Sequence, residues 1–210
     1  MRRLMLAFAL TMSVWSVLTA PAVFGGEFNP DLNIGDRAPE WKELPGVDDK
    51  KYSLADFKSK PVLVVFFTCN SCPYAVEYED RILALTKEHA GTDSKVGFVA
   101  INVNKVEADL PPAMKAKAKA KNFNFPYLFD ETQRVAKDFG AGYTPEFFVL
   151  NSERRVVYMG ALDDNSNAEL VKQRYLADAI AATLAGKEIS KKETPPVGCR
   201  IRIETRKRGK

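Results

Sequence analysis

The chain has 210 residues, a length that suits one domain with appendages better than two full domains. Its apolar share of 46% is ordinary for a globular protein with a real core, which excludes a small scaffold dependent on disulfides. The formal net charge of +4, less the two charges of Arg2 and Arg3, leaves +2, too little to point to a nucleic-acid partner.

The N-terminal stretch MRRLMLAFALTMSVWSVLTAPAVFGG reads as a secretory signal peptide over residues 1–25. Arg2 and Arg3 form its positive start, Leu4 to Leu18 its apolar centre, and cuts after Ala22 or Gly25 both fit the small-residue rule. The rival is an uncleaved anchor, because Leu4 to Val23 approaches the roughly 17–25 residues that span a bilayer. Cleavage is the expectation, with a periplasmic or otherwise exported location and membrane contact only if the segment stays attached. Residues 27–186 are then expected to form the domain, and 187–210 a basic C-terminal tail carrying Cys199.

Within the domain, LPGVDDKKYSLADF reads as two short strands joined by a turn near GVDDK, then a short helical turn. PVLVVFF, Pro61 to Phe67, is a continuous apolar run, the pattern of a strand buried on both faces. From Ser71 the pattern turns helical, with Ala75, Val76, Ile82, Leu83 and Leu85 inward, Pro73 in the first turn and Gly91 as the stop. VGFVAINVN is a second buried strand, and PPAMKAKAKAKNF a helix with a strongly basic exposed face. FPYLFD predicts a short strand and ETQRVAKDFG a short helix. EFFVLN and RRVVYMGAL predict an antiparallel pair, and NAELVKQRYLADAIAATLAG one long amphipathic helix. This order gives an α/β fold, one mixed sheet covered by helices on both faces.

Cys69 and Cys72, in TCNSCP, fall where the first buried strand passes into a helix. One helical turn brings residues three apart within disulfide reach. Unsatisfied N–H groups and the partial positive charge at the helix start favour a thiolate, so Cys69 is expected to titrate below the ordinary thiol value of about 8.5. Cys69 is then the nucleophile and Cys72, expected inside the first turn, the resolving thiol. Asn70 and Ser71 carry no charge but can donate hydrogen bonds to the thiolate. The competing reading is a metal clip through Cys69, Cys72 and Cys199, although no complete ligand set is visible. The single histidine, His89, lies about four turns from Cys72 along the helix, too far to share a metal. Cys199 is either an idle thiol or a tail cysteine that folds back to exchange with Cys69. From Cys199 the chain reads CRIRIETRKRGK, one acid among many bases, and is expected to be a solvated, frayed tail, although CRIRIE also alternates like a strand able to dock on a sheet edge.

IGDRAPEW, PVLVVFFTCNSCP, FPYLFDETQRVAKDFGA, YTPEFFVL and VVYMGALDDN together resemble the thioredoxin superfamily. The similarity is greatest to the redoxin (alkyl hydroperoxide reductase/thiol-specific antioxidant-like) branch with a CxxC, and it covers most of the chain from Ile34 onward. The resemblance implies a thioredoxin-like fold with a central mixed sheet. It implies an exported thiol–disulfide oxidoreductase that needs no cofactor or metal beyond its own redox-active disulfide. Its partners would be protein thiol or disulfide clients and a redox partner protein. It also implies a cis Thr144–Pro145 bond in a loop facing the CxxC, with Pro145 shaping a groove and Thr144 lending its backbone to a bound polypeptide. Two departures stand out. Thioredoxins carry a buried carboxylate in the strand before the CxxC, where this chain has VVFF; Glu77, Glu79 and Asp80 are substitutes with no reason to choose among them. The peroxiredoxin pattern wants a hydroxyl three residues ahead of its cysteine, where Phe66 precedes Cys69. That favours dithiol exchange over a thiol peroxidase using Cys69 with Cys72 or Cys199 as resolver.

Overall fold

The computed structural model describes residues 25–204. The proposed signal segment, but for Gly25, and the last six residues of the basic tail lie outside the described residues. Among the described residues no helix is long and apolar enough to cross a membrane.

The elements run β1 (Leu44–Pro45), β2 (Lys51–Tyr52), β3 (Val62–Phe67), α1 (Pro73–Glu88), β4 (Val96–Asn102), α2 (Pro111–Lys121), β5 (Tyr127–Phe129), α3 (Arg134–Asp138), β6 (Tyr143–Thr144), β7 (Glu146–Leu150), β8 (Val156–Gly160), α4 (Tyr175–Leu184) and β9 (Cys199–Arg200). Five strands form the main sheet in the order β5-β4-β3-β7-β8. β3, β4 and β5 are parallel, whereas β7 runs antiparallel to β3 and β8 antiparallel to β7. The unbroken apolar run of β3 has its physical reason here. Leu63, Val65 and Phe67 point into a core shared with Trp41, Phe139 and α3. Val62, Val64 and Phe66 point the other way, against Tyr78 and Ile82 of α1, Met114 of α2, and Leu176 and Ile180 of α4. All six are buried, and each contributes about 2 kcal/mol of hydrophobic stabilisation.

Register positions the site. Phe67, the last residue of β3, lies across from Ile101 of β4 and Glu146 of β7. The residues that follow β3 and those that precede β7 therefore meet at one end of the sheet, and these are Cys69 and Thr144–Pro145.

Three expectations need correction. Helix α1 starts at Pro73 with Cys72 as its N-cap, so Cys72 is not inside the first turn. Along the helix Ala75, Ile82 and Leu83 are buried as expected, but Val76 is exposed and Tyr78 is buried in its place. The long helix over 167–186 is shorter, with a 3-10 turn at Ala168–Leu170 and α4 beginning only at Tyr175. The Asp164 carboxylate causes this break. It accepts from the backbone N–H groups of Lys172 (2.9 Å) and Gln173 (3.1 Å) and holds the chain extended. Finally, the chain from Cys199 to Glu204, expected to be frayed, is packed on the domain together with the segment before it. Thr194 is buried, its hydroxyl 2.9 Å from Tyr158 Oη and accepting from Ala161 N–H at 2.9 Å. Ile201 enters the core beside Trp41 and Phe139.

Candidate active site at the start of helix α1

The three cysteines are thiols and lie together. Cys69 and Cys72 are buried at 3% and 2% exposure, and half-buried Cys199 packs against them and Ala75. The Thr144–Pro145 bond is cis. Thr144 touches the site in three ways. Its hydroxyl lies 3.5 Å from Cys69 Sγ. Its carbonyl accepts from the Cys72 thiol at 3.0 Å. Its backbone edge pairs with β9, directly across from Cys199. The structure thus brings together Cys69, Cys72, Thr144, Pro145 and Cys199. It seats Cys199 against Cys72, where exchange with Cys69 was the expectation.

The helix end bears on Cys72, not on Cys69. The Ala75 N–H donates to Cys72 Sγ at 3.5 Å. A hydrogen bond shared by the two thiols then splits them: it holds Cys72 well below the ordinary thiol value and pushes Cys69 up, with burial adding to the rise at Cys69. The expectation of a lowered Cys69 is corrected for this closed, reduced arrangement. The pair behaves as one unit that loses its first proton easily and its second with difficulty. The Thr144 carbonyl at 3.0 Å from Cys72 Sγ favours a proton on that sulfur, and the Thr144 hydroxyl is placed to donate to a charge on Cys69. A shift of the shared proton toward Cys72 therefore leaves the charge on Cys69.

Asn70 and Ser71, expected as donors to a thiolate, are engaged elsewhere. Asn70 donates to Ala108 O at 2.8 Å and accepts from Tyr127 Oη at 3.1 Å. Ser71 gives its backbone N–H and its hydroxyl to the two oxygens of Asp109, at 2.8 and 2.7 Å. Its hydroxyl oxygen is 3.8 Å from Cys69 Sγ, so with its own proton committed to Asp109 it can only accept there. Asp109, fully buried, escaped the sequence reading because it lies in a 3-10 turn, Glu107–Asp109, 38 residues away from Ser71. Its negative charge also raises the Cys69 thiol.

Of the three candidate carboxylates on α1, only Glu79 is buried. It pairs with Lys117, and at 3.5 Å with Lys121, so part of the basic face of α2 is neutralised. Glu79 lines a cavity of about 10 Å³ together with Cys69, Asn70 and Tyr127, space for about one water. A second missed carboxylate is Glu146, at the start of β7. It is buried and accepts the backbone N–H groups of Gly142 (2.8 Å) and Tyr143 (2.9 Å), which fixes the loop carrying β6. Burial pushes its carboxyl up to about 7 against the two N–H donors, which act to lower it.

Among the described residues, no group of three or more His, Cys, Asp or Glu side chains is placed to hold a metal ion. His89 is the C-cap of α1, its ring 6.0 Å from that of Phe98.

The redoxin family model matches residues 33–174. A solved structure of an uncharacterized conserved protein from Geobacillus kaustophilus is 35% identical, with a TM-score of 0.76, covering 89% of this chain and 98% of that one. The thiol-disulfide oxidoreductase ResA of Bacillus anthracis is 26% identical over 128 residues, 60% of this chain and 68% of ResA. A Mycobacterium tuberculosis (strain H37Rv) protein named as a peroxiredoxin is 28% identical over 114 residues, 52% of this chain and 65% of that protein. The chain thus spans just under two thirds of the mycobacterial relative's length.

Proposed function

The chain belongs to the redoxin family, and on that premise we propose that it is an exported thiol–disulfide oxidoreductase that exchanges a Cys69–Cys72 dithiol with disulfides of client proteins. The observation that carries this is the buried pair of CxxC thiols under Thr144, whose carbonyl lies 3.0 Å from Cys72 Sγ and whose hydroxyl lies 3.5 Å from Cys69 Sγ. As a client disulfide approaches, the shared proton moves to Cys72 and the Cys69 thiolate attacks one client sulfur. The other client sulfur leaves as a thiolate. Cys72 gives up its proton to the departed client thiolate and attacks Cys69 Sγ, which closes the Cys69–Cys72 disulfide and releases the second client thiolate. The client gains two electrons and the enzyme loses two. A redox partner protein returns them. Export rests on the N-terminal stretch, whose charged start, apolar centre and small residues fit a signal segment.

Insulin reduction with dithiothreitol tests the reading. The wild type should accelerate precipitation and Cys69→Ser should lose at least tenfold of that rate; undiminished activity in Cys69→Ser would remove Cys69 as nucleophile. A wild type inert toward insulin that consumes hydrogen peroxide with a thiol donor would replace exchange by the peroxidase reading.

A further inference from the structure

The last described segment of the chain is built into the site rather than laid over it. Tyr143 pairs with Arg200 and Thr144 with Cys199, and Ile201 N–H donates to Gly142 O at 2.8 Å. Beyond the strand the hold continues. Gln133 donates to Arg202 O at 2.8 Å and accepts from Glu204 N–H at 2.8 Å, and Asn104 accepts from Arg202 N–H at 3.0 Å. Gly198 enables the close approach, since a Cβ there would lie 2.2 Å from Thr144 O. These attachments fix Cys199 across from Thr144, against Cys72, and partial burial, with the neighbouring thiol adding to it, raises its own thiol. Cys69 and Cys72 are almost fully covered while Cys199 is half-buried. Of the three sulfurs, Cys199 is the one that solvent reaches best.

We propose that Cys199 is a third redox thiol of this site, one that exchanges with Cys72, and that β9 is the resident occupant of the Thr144 edge. This rests on the exchange reading above. The step starts from the Cys69–Cys72 disulfide left after a client has been reduced. Cys199 loses its proton to solvent and its thiolate attacks Cys72 Sγ. The Cys72–Cys199 bond forms as the Cys69–Cys72 bond breaks, and Cys69 departs as a thiolate. No electrons enter or leave, because one disulfide and one thiol go in and one disulfide and one thiol come out. The oxidised state then lies on a strand tied across Thr144, with its sulfur open to a partner thiol, and Cys69 is again a nucleophile.

The test is disulfide mapping of the full chain by mass spectrometry, after oxidation of the reduced protein with oxidised dithiothreitol and an acid quench. The wild type should show both Cys69–Cys72 and Cys72–Cys199 linkages. Cys69→Ser should form one intramolecular Cys72–Cys199 bond. Gly198→Ala, with its fold checked by circular dichroism, should lose the Cys72–Cys199 linkage at least tenfold relative to Cys69–Cys72. The proposal is overturned if the wild type yields Cys69–Cys72 alone and Cys69→Ser stays reduced or only dimerises. A Gly198→Ala protein that folds and keeps the linkage would overturn the placement of β9. Insulin reduction measured on the same wild-type sample separates the two readings. Activity without the Cys72–Cys199 linkage removes the third thiol alone, and the linkage without activity removes the client reaction.

Discussion

Replacing Glu146 by Gln should change how stability depends on pH. In the folded chain its carboxyl is pushed from 4.5 to about 7 by burial, against the opposing pull of the Gly142 and Tyr143 N–H groups. The folded state therefore binds this proton more tightly than the unfolded state. The sign follows: the contribution is fully present below about pH 4.5 and is lost as pH rises through about 7. Converted at about 1.4 kcal/mol per pH decade, the excursion is about 3 kcal/mol. Glu146→Gln keeps an oxygen for both N–H groups and cannot ionise. Urea denaturation of both proteins, with all thiols reduced, should give stabilities within about 1 kcal/mol of each other at pH 5 and a variant about 3 kcal/mol more stable at pH 9. The thiols titrate in both proteins and cancel in the difference. Parallel pH dependences would refute the reasoning, since the difference would then not come from this carboxyl.

Two further outcomes can be checked. Glu79→Gln leaves Lys117 and Lys121 without their buried counter-charge, so urea denaturation at pH 7 should show a loss of about 2–4 kcal/mol; a loss under about 0.5 kcal/mol would mean that solvent already screens the pair. Asp109→Asn removes a charge that raises the Cys69 thiol, so the pH midpoint for iodoacetamide labelling of Cys69 should move down, and an unchanged or higher midpoint would remove Asp109 from the electrostatics of the site.

What could be read in the chain beforehand follows from how local each signal is. VLVVFF and VGFVAIN announce their burial in their own composition, and the main sheet follows from them. The two cysteines were legible for the same reason, at the edge of a recognisable strand, whereas the Thr-Pro loop was legible only through the family resemblance. The helix start was misplaced by two residues because Cys72 caps the helix with sulfur, a role its neighbours do not advertise. The long final helix failed because the Asp164 side chain captures N–H groups eight and nine residues away. Asp109 and Glu146 carried no local mark of function. One reaches the site across 38 residues of sequence, and the other reads as the polar first residue of an apolar strand.

The seating of β9 also puts the site on a clock set by chain order. All five strands of the main sheet lie between residues 62 and 160, whereas β9 lies at 199–200. A chain that emerges N-terminus first has its sheet and both sulfurs of the CxxC in hand before the strand that seats Cys199 beside them exists. At roughly 5–20 residues per second of synthesis, that interval is about 2–8 s. In each newborn molecule the redox pair thus precedes its third sulfur, and the trio is complete only once β9 has paired with the Thr144 edge.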